Sequence, residues 1–149
     1  MRQIIYAMQF TGRATPTNTG GTVLKATTTA PSCSITSSVT AEGVRGTLQR
    51  AAGGAAVFES EVVFSDASTF QEAGTIAFGQ NGHRLRFSTV GQGYLGTCAD
   101  PTRKQGTVMW RVDAGEGQFA GAIGMITSNF FVSDTGEVID NHFGVISVQ

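Results

Sequence analysis

The sequence predicts an all-β fold: a single eight-stranded antiparallel up-and-down β-barrel over residues 1–149, with a β-sandwich as the alternative. Three observations carry this. No long stretch keeps apolar residues at helical spacing, whereas short alternating runs bounded by glycine recur from end to end. The segment Gly115 to Gly124 places Gly115, Gly117, Gly121 and Gly124 around Phe119, and at about 1 kcal/mol per glycine relative to alanine a helix there is too costly. It reads as a tight turn feeding a long, bent strand. Successive runs are joined by hairpin-type turns, and an open sheet of that size would leave two edges and a face uncovered. Closure into a barrel removes the edges and leaves an interior just wide enough for side chains or one small ligand.

The elements follow in chain order. Residues 2 to 11 alternate Ile4, Tyr6, Met8 and Phe10 against Gln3, Ile5, Ala7 and Gln9, so one face is distinctly more apolar. Gly12 to Gly21, with Pro16 and Asn18, has loop composition. Val23 to Thr29 and Cys33 to Thr40 suit a pleated, half-buried surface; Pro31 makes them two strands or one strand with a break. Ala41-Glu42-Gly43 turns the chain into Val44, Gly46 and Leu48, and Gly53-Gly54 precedes a strand from Ala55 through Phe64. Thr69 to Phe78 sets Phe70, Glu72, Gly74, Ile76 and Phe78 on one face, and the Asn81-Gly82 hairpin step leads into His83 to Val90. Gly91 to Gln105 reads as the longest loop, followed by a strand over Thr107 to Val112. The last hairpin pairs Ile123 to Ser133 with Glu137 to Val148 around Asp134-Thr135-Gly136.

Composition excludes several functions. The chain is 40% hydrophobic and only 14% charged, with a formal net charge of -1, so it has no field to gather nucleic acid or anionic membrane. No segment approaches the roughly 20 apolar residues that span a bilayer as a helix, and Gln3 and Gln9 interrupt any signal core at the start, so the chain reads as cytoplasmic. Cys33 and Cys98 match no paired-cysteine metal or redox motif, and His83 and His142 have no third ligand at metal spacing. No metal and no cofactor are expected.

The chemistry-bearing candidates lie on strand faces. Glu72 shares its face with Phe70, Ile76 and Phe78, where an ionised carboxylate is costly, so it should find partners or rise in pKa and serve as a general acid or base. The competing reading is a bulge at Gly74 that turns Glu72 to solvent. With a three-residue loop at Asp134 to Gly136, Asn129 lies opposite Asn141 on the face of Met125, Phe131, Ile139 and Phe143, where two amides could orient a ligand carbonyl or a catalytic water, or simply satisfy each other. Glu72, Asn129 and Asn141 are the catalytic candidates. The aromatics Tyr6, Phe70, Phe87, Tyr94, Trp110, Phe131 and Phe143, with Gln9, Cys33 and Met125, are the candidate ligand-binding lining. His83, beside the Asn81-Gly82 turn, is expected to have a surface or turn-bonding role.

The Phe78-Gly79-Gln80-Asn81-Gly82-His83 turn, the Gly91-Gln92-Gly93-Tyr94-Leu95 turn and the Gly115-Glu116-Gly117-Gln118-Phe119-Ala120-Gly121-Ala122-Ile123-Gly124 segment occur in an order that resembles the allene oxide cyclase family, whose barrel relatives include the dirigent proteins. The likeness covers the C-terminal half by motif and the N-terminal half by strand pattern. In the first strand the family's Tyr-Glu-x-Asn run is matched here by Tyr6-Ala7-Met8-Gln9, with Ala7 at the carboxylate position. The resemblance implies an eight-stranded barrel with a hydrophobic cavity, assembled as a homo-oligomer (dimer or trimer), and activity on a lipophilic small molecule. Three functional readings follow: a cofactor-independent isomerase, cyclase or epoxide-opening enzyme; a non-catalytic lipophilic-ligand-binding barrel; and an oligomeric barrel with a filled core, in which Ile5, Phe130, Val132 and Ile146 belong to subunit interfaces.

Overall fold

The computed structural model describes residues 1–149. Its strands are β1 (Arg2–Pro16), β2 (Val23–Thr40), β3 (Gly43–Phe64), β4 (Thr69–Phe78), β5 (Arg84–Thr89), β6 (Gly93–Thr97), β7 (Arg103–Glu116), β8 (Ile123–Ser133) and β9 (Glu137–Val148). They form one nine-stranded antiparallel sheet whose hydrogen bonds run round a ring, β1-β2-β3-β4-β5-β7-β8-β9, and return to β1. The short β6 bridges β4 and β7 beside β5. The all-β, dirigent-like barrel expected from the sequence is therefore the observed architecture, with one strand more than anticipated.

That extra strand corrects the reading of Gly91 to Gln105 as loop. Gly93 and Tyr94 pair with Phe70 and Thr69, and Tyr94 to Thr97 pair with Thr107 to Lys104, so β6 takes up backbone groups of β4 and β7 that β5 does not reach. Pro31 breaks β2 without ending it: the register slips between Pro31 and Cys33, and the strand continues to Thr40. The Gln80 to Gly82 turn also differs from a two-residue hairpin with Asn81 at positive φ. Gly79 and Gly82 take φ of 75° and 79° instead, and Phe78 N–H closes the turn on the His83 carbonyl at 2.8 Å.

The interior follows the two-residue period of the strands. Phe10, Phe58, Phe70, Phe87 and Trp110 fill it, with Ile76, Leu85, Ile126 and Ile146 between them. Phe58 stacks on Phe87 at 5.2 Å between ring centroids, and Phe87 meets Trp110 at 4.6 Å. A bulge opposite Arg86 and Phe87 lets β7 bury Val108, Trp110 and Val112 and then turn Gly115 toward the close-packed Phe119. Gly117 to Phe119 form a single 3-10 turn, and Gly121 takes φ of 70°, so the glycine-rich segment is the turn into β8 anticipated from its composition.

Candidate functional site

Two buried carboxylates sit within this aromatic interior. Glu72, on β4, is 8% exposed and points inward in line with Phe70 and Ile76. The alternative in which Gly74 turns it outward does not occur, because β4 keeps an unbroken register against β3 from Ala56↔Phe78 to Phe64↔Phe70. Ser60, two residues from Phe58 on β3, donates its hydroxyl to Glu72 Oε1 at 2.9 Å. Burial, reinforced by the negative charge of Asp140, pushes the Glu72 carboxyl up to about 8, against the opposing effects of Ser60 and the Trp110 indole. The Trp110 N–H favours the carboxylate electrostatically but makes no hydrogen bond of good geometry, so Nε1 stays buried and unpaired. At neutral pH Glu72 is a protonated acid.

Asp140 and His142 form the second half of the site. They are two residues apart on β9 and therefore share its inner face. Asp140 Oδ1 accepts the Ser128 hydroxyl at 2.5 Å, and Oδ2 lies 2.8 Å from His142 Nε2. The imidazole, 2% exposed, is packed by Phe10, Trp110 and Phe58 with ring centroids at 4.2, 5.0 and 5.3 Å, and its Nδ1 has no partner. Tyr6 comes next along the same wall. Its pairing partner on β9 is Gly144, where a Cβ would collide with the Tyr6 ring, so that position must lack a side chain for the tyrosine to lie flat. The Tyr6 hydroxyl is buried without a partner, and burial with the Asp140 charge nearby raises its pKa.

A cavity of about 130 Å³ opens beside the two acids. Its wall is apolar, including Phe58, Phe70, Leu95 and Phe130, except for Thr28, Glu72 and Asp140. Thr28 is buried and its hydroxyl has no partner. Three polar groups thus converge on an otherwise greasy space, one of them with a hydroxyl free to bond a ligand. Larger depressions, of about 700 and 490 Å³, are open surface grooves with mixed polar walls and include neither acid.

The other sequence candidates are dispersed. Phe70, Phe87, Trp110 and Tyr6 are interior, with Phe70 on the cavity wall. Asn129 does pair with Asn141, as the three-residue loop required, but on the outer face; Asn141 Nδ2 donates to the Asn129 carbonyl at 3.3 Å and Gln9 Nε2 donates to Asn141 Oδ1 at 3.0 Å. Met125 and Phe143 are outward as well, Phe143 being 51% exposed. Tyr94 and Phe131 join the two asparagines around the 490 Å³ surface groove. Cys33 lies outside the barrel, its thiol directed at the Ala7 carbonyl 3.5 Å away, and both Cys33 and Cys98 are free. The parity of β8 and β9 is thus opposite to the expected one: Ile126 and Ser128, with Asp140, His142 and Ile146, face in. Of the residues expected at subunit interfaces, only Ile5 is exposed; Ile146 is core, and Phe130 and Val132 line the cavity. His83 accepts the Gln118 N–H on Nδ1 at 3.0 Å, a role within the turns. No grouping of three or more metal-ligating side chains is present, and no helix is long and apolar enough to cross a membrane.

Asp140, His142, Ser128, Ser60 and Thr28 were not among the sequence candidates. The available signal was the i, i+2 spacing of Asp140 and His142, which puts an acid and an imidazole on one strand face.

The fold is that of a dirigent-like β-barrel. The solved structure of the pterocarpan synthase dirigent protein GePTS1 superposes on it with a TM-score of 0.50, at 11% sequence identity, over 100% of this chain and 88% of that one. No protein-family model matches the sequence, and no curated protein does.

Proposed function

We propose that the protein is a cofactor-independent small-molecule enzyme of the isomerase, cyclase or epoxide-opening type, with Glu72 as its general acid. The observation that carries this reading is a buried carboxyl, raised in pKa by desolvation, on the wall of an apolar cavity beside a second carboxyl and an unpartnered hydroxyl. In a dry cavity such an acid can protonate a ligand oxygen and recover the proton from the ligand as the step completes, so no external acid is consumed. Asp140, held by Ser128 and His142, would stabilise positive charge that develops on the ligand in between.

Cavity size narrows the ligand. A space of about 130 Å³ is close to the roughly 150 Å³ cavity that admits benzene, so the part of the ligand inside the barrel is about one ring in size. Native mass spectrometry of the purified protein would identify a retained molecule. With that ligand, Glu72→Gln is expected to lose roughly 10²- to 10⁴-fold in turnover while keeping affinity. Wild-type turnover in the variant overturns the assigned role. The apolar wall also supports a second reading, a non-catalytic binding barrel, in which the wild type retains the molecule unchanged and Glu72→Gln binds it equally well.

A further inference from the structure

The outer surface divides by charge. From Ile5 to Thr11 on β1, Ile139 to Val145 on β9 and Met125 to Phe131 on β8, the outward residues include no charged side chain. Ile5, Val145 and Met125 form one row across these strands, and Ala7, Phe143 and Thr127 the next. Elsewhere the outward positions carry Lys25, Glu59, Glu61, Arg84 and Arg86. Depletion of charge with exposed aromatic and methionine side chains is the compositional mark of an interface core.

A second uncovered surface projects beside it. Beyond the Pro31/Cys33 register shift, β2 and β3 pair only with each other, from Cys33↔Arg50 to Thr40↔Gly43. β1 joins β2 no further than Thr29, and β4 joins β3 only from Ala56, so both arm strands are free edges. At about 3.4 Å per residue the arm is about 25 Å long. One side carries the cross-strand pairs Ile35↔Leu48 and Val39↔Val44, with Ser37↔Gly46 between them and Arg50 opposite Cys33 at the root; the other carries Thr36, Ser38, Arg45 and Thr47. Val39 is 87% exposed and Val44 74%. A lone two-stranded hairpin is marginal in water, and Ile35, Val39, Val44 and Leu48 of this one are all exposed. Cys33, at its root and on the apolar side, touches β1 at Ala7, so the arm's apolar side starts at the margin of the uncharged face.

We propose that the protein forms a two-fold dimer in which each copy lays the Ile35, Val39, Val44 and Leu48 side of its β2–β3 arm across the uncharged β1-β9-β8 face of the other. The area argues for a second copy and for reciprocity. An arm about 25 Å long and about 10 Å wide removes roughly 500 Å² from water, both partners counted, when it docks once. Stable interfaces begin near 1,000 Å², which two exchanged arms reach and one does not. An exchange in which each copy gives and receives the same element is the self-complementary contact of a two-fold axis.

Sedimentation velocity of the full chain at micromolar concentration is expected to give twice the 15.6 kDa chain mass. Val39→Asp on the arm and, separately, Phe143→Asp on the face should each weaken association by at least tenfold. Both positions are solvent-exposed in the single chain, and far-UV circular dichroism and urea unfolding of each variant confirm that the barrel is intact. Should the arm variant unfold, Val44→Asp at the arm tip replaces it, and should the face variant unfold, Ile5→Asp, 60% exposed on the same face, replaces that. A wild-type monomer at every concentration, a trimer, or a dimer indifferent to arm and face substitutions alike overturns the proposal.

Discussion

Replacing Glu72 with glutamine should make the protein more stable above neutral pH, although it removes a buried hydrogen-bonded acid. In the unfolded chain the Glu72 carboxyl titrates at its ordinary value near 4.5, whereas in the barrel it titrates at about 8. Between those values the native state holds a proton that the unfolded state has released. Stability therefore falls as pH rises, by about 1.4 kcal/mol per pH unit, and the loss is complete once pH passes 8. Over the whole window the cost is about 5 kcal/mol, a large share of the roughly 5–15 kcal/mol that holds a domain folded. Relaxation of the carboxylate toward the cavity or entry of water would reduce it.

The glutamine would keep an acceptor for the Ser60 hydroxyl and would have no charge to desolvate. Urea unfolding of wild type and Glu72→Gln at a series of pH values isolates this term, because every other titrating group cancels to first order in the difference. The two proteins should be close near pH 4.5, and the variant should gain steadily up to a plateau above pH 8. A difference that stays flat from pH 5 to pH 9 would refute the buried-acid argument and, with it, the reason for assigning Glu72 proton chemistry.

Asp140→Asn should lower the upper end of that pH window and so narrow it, because the Asp140 charge is the second cause of the raised Glu72 value; the same urea series reads the change. Trp110→Ala should cost about 3–5 kcal/mol, measured by urea unfolding, since the ring is fully buried between Phe87, Phe58 and His142. Gly74→Ala should cost roughly 1–3 kcal/mol, because its Cβ would press on the Glu59 carbonyl and Ser60 Cα of the paired strand, which are backbone and cannot step aside; a thermal melt checks it. Ala26→Leu fills part of the 130 Å³ cavity, so single-ring compounds that raise the melting temperature of the wild type should have no effect on this variant.

What could be read in advance followed from local rules. The alternation over Thr69 to Phe78 placed Glu72 beside Phe70 and Ile76, since Gln71, Ala73 and Thr75 offer no rival apolar face, but only the unbroken register against β3 disposed of the competing bulge at Gly74. The Asn129↔Asn141 pairing came from counting back from a three-residue loop. Which face of that hairpin pointed inward did not follow from counting. Ile139, Phe143 and Val145 look more like a core set than Asp140, His142 and Gly144, and only ring closure against Phe10, Phe58 and Trp110 decides the matter. β6 was missed because Gly93-Tyr94-Leu95-Gly96-Thr97 has glycines where its neighbours need close approach: a Cβ on Gly93 would collide with the Phe70 ring.

The inverted parity of β9 has a physical meaning. Its inward set is polar in the middle, yet each polar atom but one is accounted for: Asp140 by Ser128 and His142, and His142 Nε2 by Asp140, with only Nδ1 left over. Its outward set between Ile139 and Val145 carries no charge and is apolar apart from Asn141. A strand that buries its polar side and exposes its greasy one would be driven to flip in an isolated barrel, because a one-residue slip exchanges the two faces. The inward set can hold its place because its hydrogen bonds are satisfied and because Gly144 leaves room for Tyr6. The outward set is only partly buried in the single chain, with Phe143 51% exposed, and it gains further burial only when another surface covers it. The site and the proposed interface are therefore two sides of one strand. Asp140 and His142 alternate with Ile139, Asn141 and Phe143, so an arm laid over the outside of β9 bears directly on the backbone that positions the buried acid within.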